Sequence, residues 1–147
     1  MIYKYNFSIS GDDFYPEKNL SKIEGDFITD SLFHPNDKKF DNRPDEYGYG
    51  GMSFWHPKKF STENEILEYE KSFINFINKN YSLFFENGVD NLQIFIEIYF
   101  DGGQCNFEVF DKEALKIISY FNVSLPISIY VLTDKEIQKW ENEVRLE

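Results

Sequence analysis

The chain has 147 residues, a length that suits one domain with its own packed core. Lys and Arg number 15 against 26 Asp and Glu, a net charge of -11. That argues against nucleic acid and against anionic membranes as partners, because too few cations are present to displace counterions. With 41% hydrophobic and 19% aromatic residues, wholesale disorder is not expected either.

In chain order, the first element is a half-buried strand over residues 2–9. Tyr3, Tyr5, Phe7 and Ile9 fall on one face and Lys4, Asn6 and Ser8 on the other. A turn follows at 10–13. Pro16 is placed to open a short helix, with Leu20 and Ile23 facing inward and Gly25 ending it. Residues 27–33 read as a weaker strand. From 34 to 51 periodicity is lost in a long loop carrying His34, Pro35, Arg43 and Pro44, with Tyr47 and Tyr49 as candidate contact residues. Residues 34–60 carry five cations and four anions, net +1, so the negative charge lies elsewhere. Residues 52–56 return to a strand containing Trp55, which is expected in the core.

Thr62 to Glu65 has the spacing of a capping box. Ile66, Tyr69, Phe73, Ile77, Tyr81 and Phe84 then recur at helical spacing, and Gly88 is a plausible stop. Glu63, Glu65, Glu68 and Glu70 are read as complementing the dipole of this helix. Residues 92–100 alternate cleanly. Asp101-Gly102-Gly103-Gln104 signals a hairpin returning over 105–110. Asp111 is expected to cap a helix with Leu115, Ile118 and Phe121 inward. Residues 125–132 read as a strand. Thr133 to Glu136 is a second capping box, opening a terminal helix with Ile137, Trp140 and Val144 in one stripe. Trp140 is read as core or as a docking anchor.

This order predicts a single α+β domain over 1–147. The architecture is a two-layer sandwich, a mainly antiparallel sheet with helices on one face. Its core reads as a ferredoxin-like βαββαβ unit followed by a further βαβ and a C-terminal helix.

A two-residue hairpin loop sets Phe100 against Cys105, Ile98 against Phe107 and Ile96 against Val109 on an apolar inner face. On the outer face it sets Tyr99 against Asn106, Glu97 against Glu108 and Phe95 against Phe110. Like charges directly opposed cost a few tenths to about 1 kcal/mol. Residues 86–113 hold seven acids and one base, net -6. Glu97, Glu108 and Asp101, framed by Phe95, Tyr99 and Phe110, therefore form the candidate surface for a partner's Arg or Lys.

Other chemistry is weakly signalled. A carboxylate pair on a flat sheet face lacks the cleft a hydrolase needs. Asp12 and Asp13 start a turn, and His34 and His56 are isolated, so no metal is expected. Cys105 is alone, which rules out a disulfide within the chain, and is read as an apolar filler. The glycines at 48, 50 and 51 lack the ending of a phosphate loop, and no cofactor is expected. Residues 1–10 lack the apolar stretch of a secretory signal, and no run approaches the ~20 apolar residues of a membrane span, so a cytoplasmic location is expected. Lys, Asn, Ile, Phe and Tyr total 67 residues, while alanine occurs once, at Ala114. That bias points to an A/T-rich, bacterial genome, in which Phe and Tyr also serve as ordinary core fillers.

The first strand followed by Gly11-Asp12, the Pro16-Glu17 helix start, the glycine-rich loop leading to Trp55, the long helix, and the final strand over 127–131 resemble a widespread family of small bacterial domains of unknown function. The loop around 40–51 is longer and more charged than in that pattern. Some small acidic proteins of this kind look like immunity proteins, which neutralise secreted bacterial toxins. The resemblance implies a non-enzymatic inhibitor of a basic toxin domain. An acidic surface would speed encounter with such a partner and plug its cationic site. The alternative is a small-molecule-binding or regulatory α+β domain with its pocket between the sheet and the 34–51 loop.

Overall fold

The structure, a computed structural model, describes residues 1–18 and 20–144, except for the side chains of Leu20, Asp134 and 141–144. The inward positions expected for Leu20 and Val144 lie outside the described residues.

Strand β1 (Ile2–Gly11) is the axis of the sheet, and its alternation is realised without a break: Tyr3, Tyr5, Phe7 and Ile9 are buried. Strands β2 (Ile28–Phe33) and β3 (Gly50–Trp55) pair antiparallel, and β3 pairs antiparallel with β1. The two-residue β4 (Ser61–Thr62) continues that side of β1 beside Ile2 and Tyr3. Helix α1 (Ile66–Glu86) leads to β5 (Asn91–Phe100), which lies antiparallel on the other side of β1. Helix α2 (Lys112–Ile118) precedes β6 (Val123–Ser124) and β7 (Ile127–Val131), both parallel to β5. Helix α3 (Asp134–Val144) follows. The sheet order is β2-β3-β1-β5-β6, with β4 beside β1 and β7 beside β5. The chain is α+β with a mixed, mostly antiparallel sheet. Among the described residues no helix is long and apolar enough to cross a membrane.

Phe73 and Phe76 of α1 pack over the inner face of the sheet, and Phe54, Phe7 and Phe84 join them in one cluster. Most buried large side chains are aromatic, as the residue bias of the chain foretells, and each contributes about 1.5–3 kcal/mol by burial. Gly11 is required where β1 meets the chain leaving α1: a Cβ there would stand 1.9 Å from the Gly88 carbonyl oxygen. Gly88 itself has φ +86, the left-handed turn that ends the helix. Asn80, buried in the apolar stripe of α1, holds the connection between β1 and β2. Its Nδ2 donates to the Glu24 and Phe76 carbonyls at 2.8 and 2.9 Å, and its Oδ1 accepts from the Glu24 N–H at 2.8 Å.

Four expectations are corrected. The connection from β1 to β2 contains only 3-10 turns at Pro16–Lys18 and Leu20–Lys22, with no α-helix among its described residues. Glu65, not Thr62, is the residue before α1, and no side chain caps it. Thr62 lies in β4, where strand pairing takes up the position a cap would need. The helices do not all share one face. Trp140 of α3 packs on Tyr99, which lies on the face opposite buried Ile98, at 5.1 Å between rings.

The hairpin is the largest correction. Residues 105–110 form no strand, because the free side of β5 is taken by β7. The Ile96 N–H donates to the Pro126 carbonyl at 2.9 Å, and the Leu132 N–H to the Phe100 carbonyl at 2.8 Å. The competing strand is uncharged and β-branched, and it sets Ser128 beside Glu97 where the hairpin would have set Glu108.

Candidate functional site

The loss of the hairpin scatters the residues expected to act together. Glu97 stays on the outer face but faces Lys4 of β1, whose Nζ lies 3.5 Å from its Oε2. Lys4 also sits over the Trp55 ring at 4.6 Å, so Trp55 is half-buried on the outer face and not in the core. Tyr99 stacks between Tyr130 and Trp140. Burial first, then the neighbouring Glu97, push its hydroxyl pKa up to about 12. Phe95 is half-buried opposite Asn6. Asp101 is exposed at the end of β5, beside a cleft of about 440 Å³ lined by Met1, Glu63, Phe100, Leu132 and Ile137. Tyr47 stacks on Phe33 at 4.2 Å, and Tyr49 meets both rings edge-on, so the two loop tyrosines do lie together. The loop is folded on itself: the Lys39, Tyr47 and Gly48 N–H groups donate to the Asp45, Asp37 and Pro35 carbonyls.

Phe110 and Glu108 move to the opposite side of the sheet. Phe110 is 1% exposed with its ring 5.8 Å from Tyr5, so it is core and offers nothing to a partner. Its φ of +53 is left-handed, a conformation held by its surroundings. The Phe110 N–H donates to Oε1 of Glu70 at 3.0 Å, and the Tyr5 hydroxyl donates to the same oxygen at 2.8 Å. Glu70 therefore does more than complement the dipole of α1. It is 3% exposed, in the apolar stripe of α1. Burial pushes its carboxyl pKa up. The two hydrogen bonds draw it back, and nearby Asp111 and Glu108 raise it further. Tyr5 is driven strongly upward by burial and by Glu70, so its hydroxyl remains a donor.

Glu70 is the floor of a cleft of about 210 Å³ between α1 and α2. Asp111, Glu113 and Lys71 stand at its rim, and Leu67, Ile74, Ala114 and Ile117 supply apolar walls. The cation at this rim, Lys71, is already held by Glu68 at 2.6 Å. Asp111 caps α2 as expected, its Oδ1 accepting the Ala114 N–H at 2.8 Å, and Asp111, Glu113 and Ala114 at the start of α2 line the cleft. Of the seven acids of residues 86–113, Glu108, Asp111 and Glu113 gather near α1 and α2, while Glu97 stays on the outer face and Asp101 beside the other cleft. Sequence reading missed Glu70. The available signal was its spacing, four residues after Ile66 and three before Phe73, which places a carboxylate on the buried stripe.

Among the described residues no group of three or more His, Cys, Asp or Glu could hold a metal ion. Cys105 is half-buried with its Sγ 3.3 Å from the Met1 Sδ. His34 pairs with Glu17 at 2.8 Å. His56 lies against Tyr69 and Phe27, and burial lowers its pKa. Comparison with protein-family models, curated proteins and solved structures finds no match.

Proposed function

We propose that the chain is a non-enzymatic, immunity-type inhibitor that binds a basic protein, a bacterial toxin domain, through the acidic cleft between α1 and α2. One observation carries this reading. Glu70, Asp111 and Glu113 line one concave site, Glu108 lies close enough to raise the Glu70 pKa, and the lysine at the rim is engaged with Glu68. An Arg or Lys from a partner entering there meets carboxylates on several sides and apolar walls that exclude water, which strengthens each contact. The net charge of -11 draws such a partner in from a distance. Cytoplasmic residence and bacterial origin belong to the same proposal. So does the fold reading in which β1, β2, β3, α1 and β5 form a ferredoxin-like unit whose first helix has shrunk to 3-10 turns.

The test is co-expression in a bacterial host with the protein encoded beside this chain. Growth arrest by that protein alone, relieved by this chain and not by its Glu108→Lys, Glu113→Lys variant, is the expected result. No relief by the wild-type chain overturns the proposal. A second reading, small-molecule binding, is favoured by the larger cleft beside Asp101 and Phe100, and not by a pocket under the 34–51 loop as expected, since no residue of that loop lines the clefts described. It predicts a tight ligand retained through purification.

A further inference from the structure

Strand β7 is an edge with unusual chemistry. Its only strand neighbour among the described residues is β5. Ile127, Ile129 and Val131 align with Ile96, Ile98 and Phe100 on the face that carries α1, yet they are 51%, 53% and 66% exposed. Tyr130 on the other face is 42% exposed. Edge strands are ordinarily guarded against pairing by a charge, a bulge or a proline within the strand. The opposite edge shows such guards: β2 carries a register shift between Thr29 and Ser31 and an aspartate at position 30. Strand β7 carries none. Residues 117–133 hold no charged side chain at all, the longest such run in the chain.

The backbone is poised in the same way. Pro126 and Leu132 direct their hydrogen-bonding groups to β5. By the alternation of a strand, Ser128 and Tyr130 do so too, and Ile127, Ile129 and Val131 direct their N–H and C=O groups outward. An antiparallel copy centred on Ile129 would pair Ile129 with its own equivalent and Ile127 with Val131. The outward groups then meet as hydrogen-bonded pairs, and each apolar side chain meets another on one face.

We propose that β7 is the pairing edge of a symmetric homodimer, joined antiparallel across a twofold axis at Ile129. A second copy fits better than a charged partner strand. Two chains of net charge -11 repel wherever charge is displayed, and this edge displays none. The four exposed side chains supply about 400 Å² per copy, roughly half of the ~800 Å² per partner in a standard interface. That sets the expected association in the micromolar range and makes it reversible.

Sedimentation equilibrium of the whole chain from about 5 to about 500 µM tests this, with amide hydrogen exchange at both ends of the range. Expected is a monomer–dimer equilibrium in which the amides of Ile127, Ile129 and Val131 gain protection with concentration, while those of Ser128 and Tyr130 do not change. Ile129→Lys removes the buried Ile129 pair and opposes two cations at the twofold axis, and should weaken the dimer at least about thirtyfold. Ile28→Lys, on the exposed part of β2, should leave it intact. A monomer throughout the range overturns the proposal. So does a dimer that Ile129→Lys leaves unchanged, or one without the alternating protection.

Discussion

Replacing Glu70 separates its two roles, acceptor and charge. In Glu70→Leu the Phe110 N–H and the Tyr5 hydroxyl, bonded to Oε1 at 3.0 and 2.8 Å, both lose their partner inside the core. An orphaned buried donor costs about 1–3 kcal/mol, and relief from burying a charge offsets part of the total, leaving a destabilisation of about 2–4 kcal/mol. Glu70→Gln retains an acceptor oxygen for both donors and removes the charge, so its stability should stay within about 1 kcal/mol of wild type near pH 5. The pH dependence differs as well. A carboxyl whose folded pKa is raised stabilises the fold below the unfolded carboxyl range, and that contribution is lost as pH rises through the raised value. Wild type should therefore lose stability relative to Glu70→Gln as pH climbs from below the ordinary glutamate range toward neutrality. Urea unfolding followed by tryptophan fluorescence at pH 4, 5.5 and 7.5 measures both effects. A Glu70→Leu protein within about 1 kcal/mol of wild type, or a Glu70→Gln protein as damaged as Glu70→Leu, refutes the assignment of Glu70 as the anchor of residues 105–110.

Phe73→Ala empties a fully buried position between Tyr5, Phe27 and Tyr69 and should cost about 3–5 kcal/mol in the same unfolding assay. Lys4→Ala removes the ion pair with Glu97 and the contact with Trp55 together, and should cost about 1 kcal/mol, with a change in Trp55 emission. Gly11→Ala drives a methyl into the Gly88 carbonyl, and a thermal melt should show loss of at least about 2 kcal/mol.

Where a single element decides its own structure, the sequence is a sufficient guide. The alternation of β1 and β5, the Asp111 cap and the Glu136 carboxylate accepting from the Thr133 N–H at 2.8 Å are all local. The hairpin misled because its cue was also local. Asp101 to Gln104 does turn the chain, with Gly102 and Gly103 at positive φ, but the edge of β5 goes to β7, nearly thirty residues further on. A strand that avoids opposing two glutamates wins over a nearer one that does not, and turn chemistry carries no record of that competition. The candidate acids followed the same logic. Glu108 and Asp111 lie in the segment singled out for its charge, but the face they reach is set by Phe110 and its bond to Glu70. Glu70 was visible only as a polar residue at an apolar spacing, an inconsistency between helix period and residue type.

The most direct test of the acidic cleft is isothermal titration of the protein encoded beside this chain into wild type and into the Glu108→Lys, Glu113→Lys variant. Both substituted side chains are exposed, so the fold should survive. Expected is a one-to-one complex that weakens at least about tenfold between ~50 and ~300 mM NaCl, and at least about a hundredfold in the variant. Affinity unchanged by the two substitutions and by salt would contradict the account.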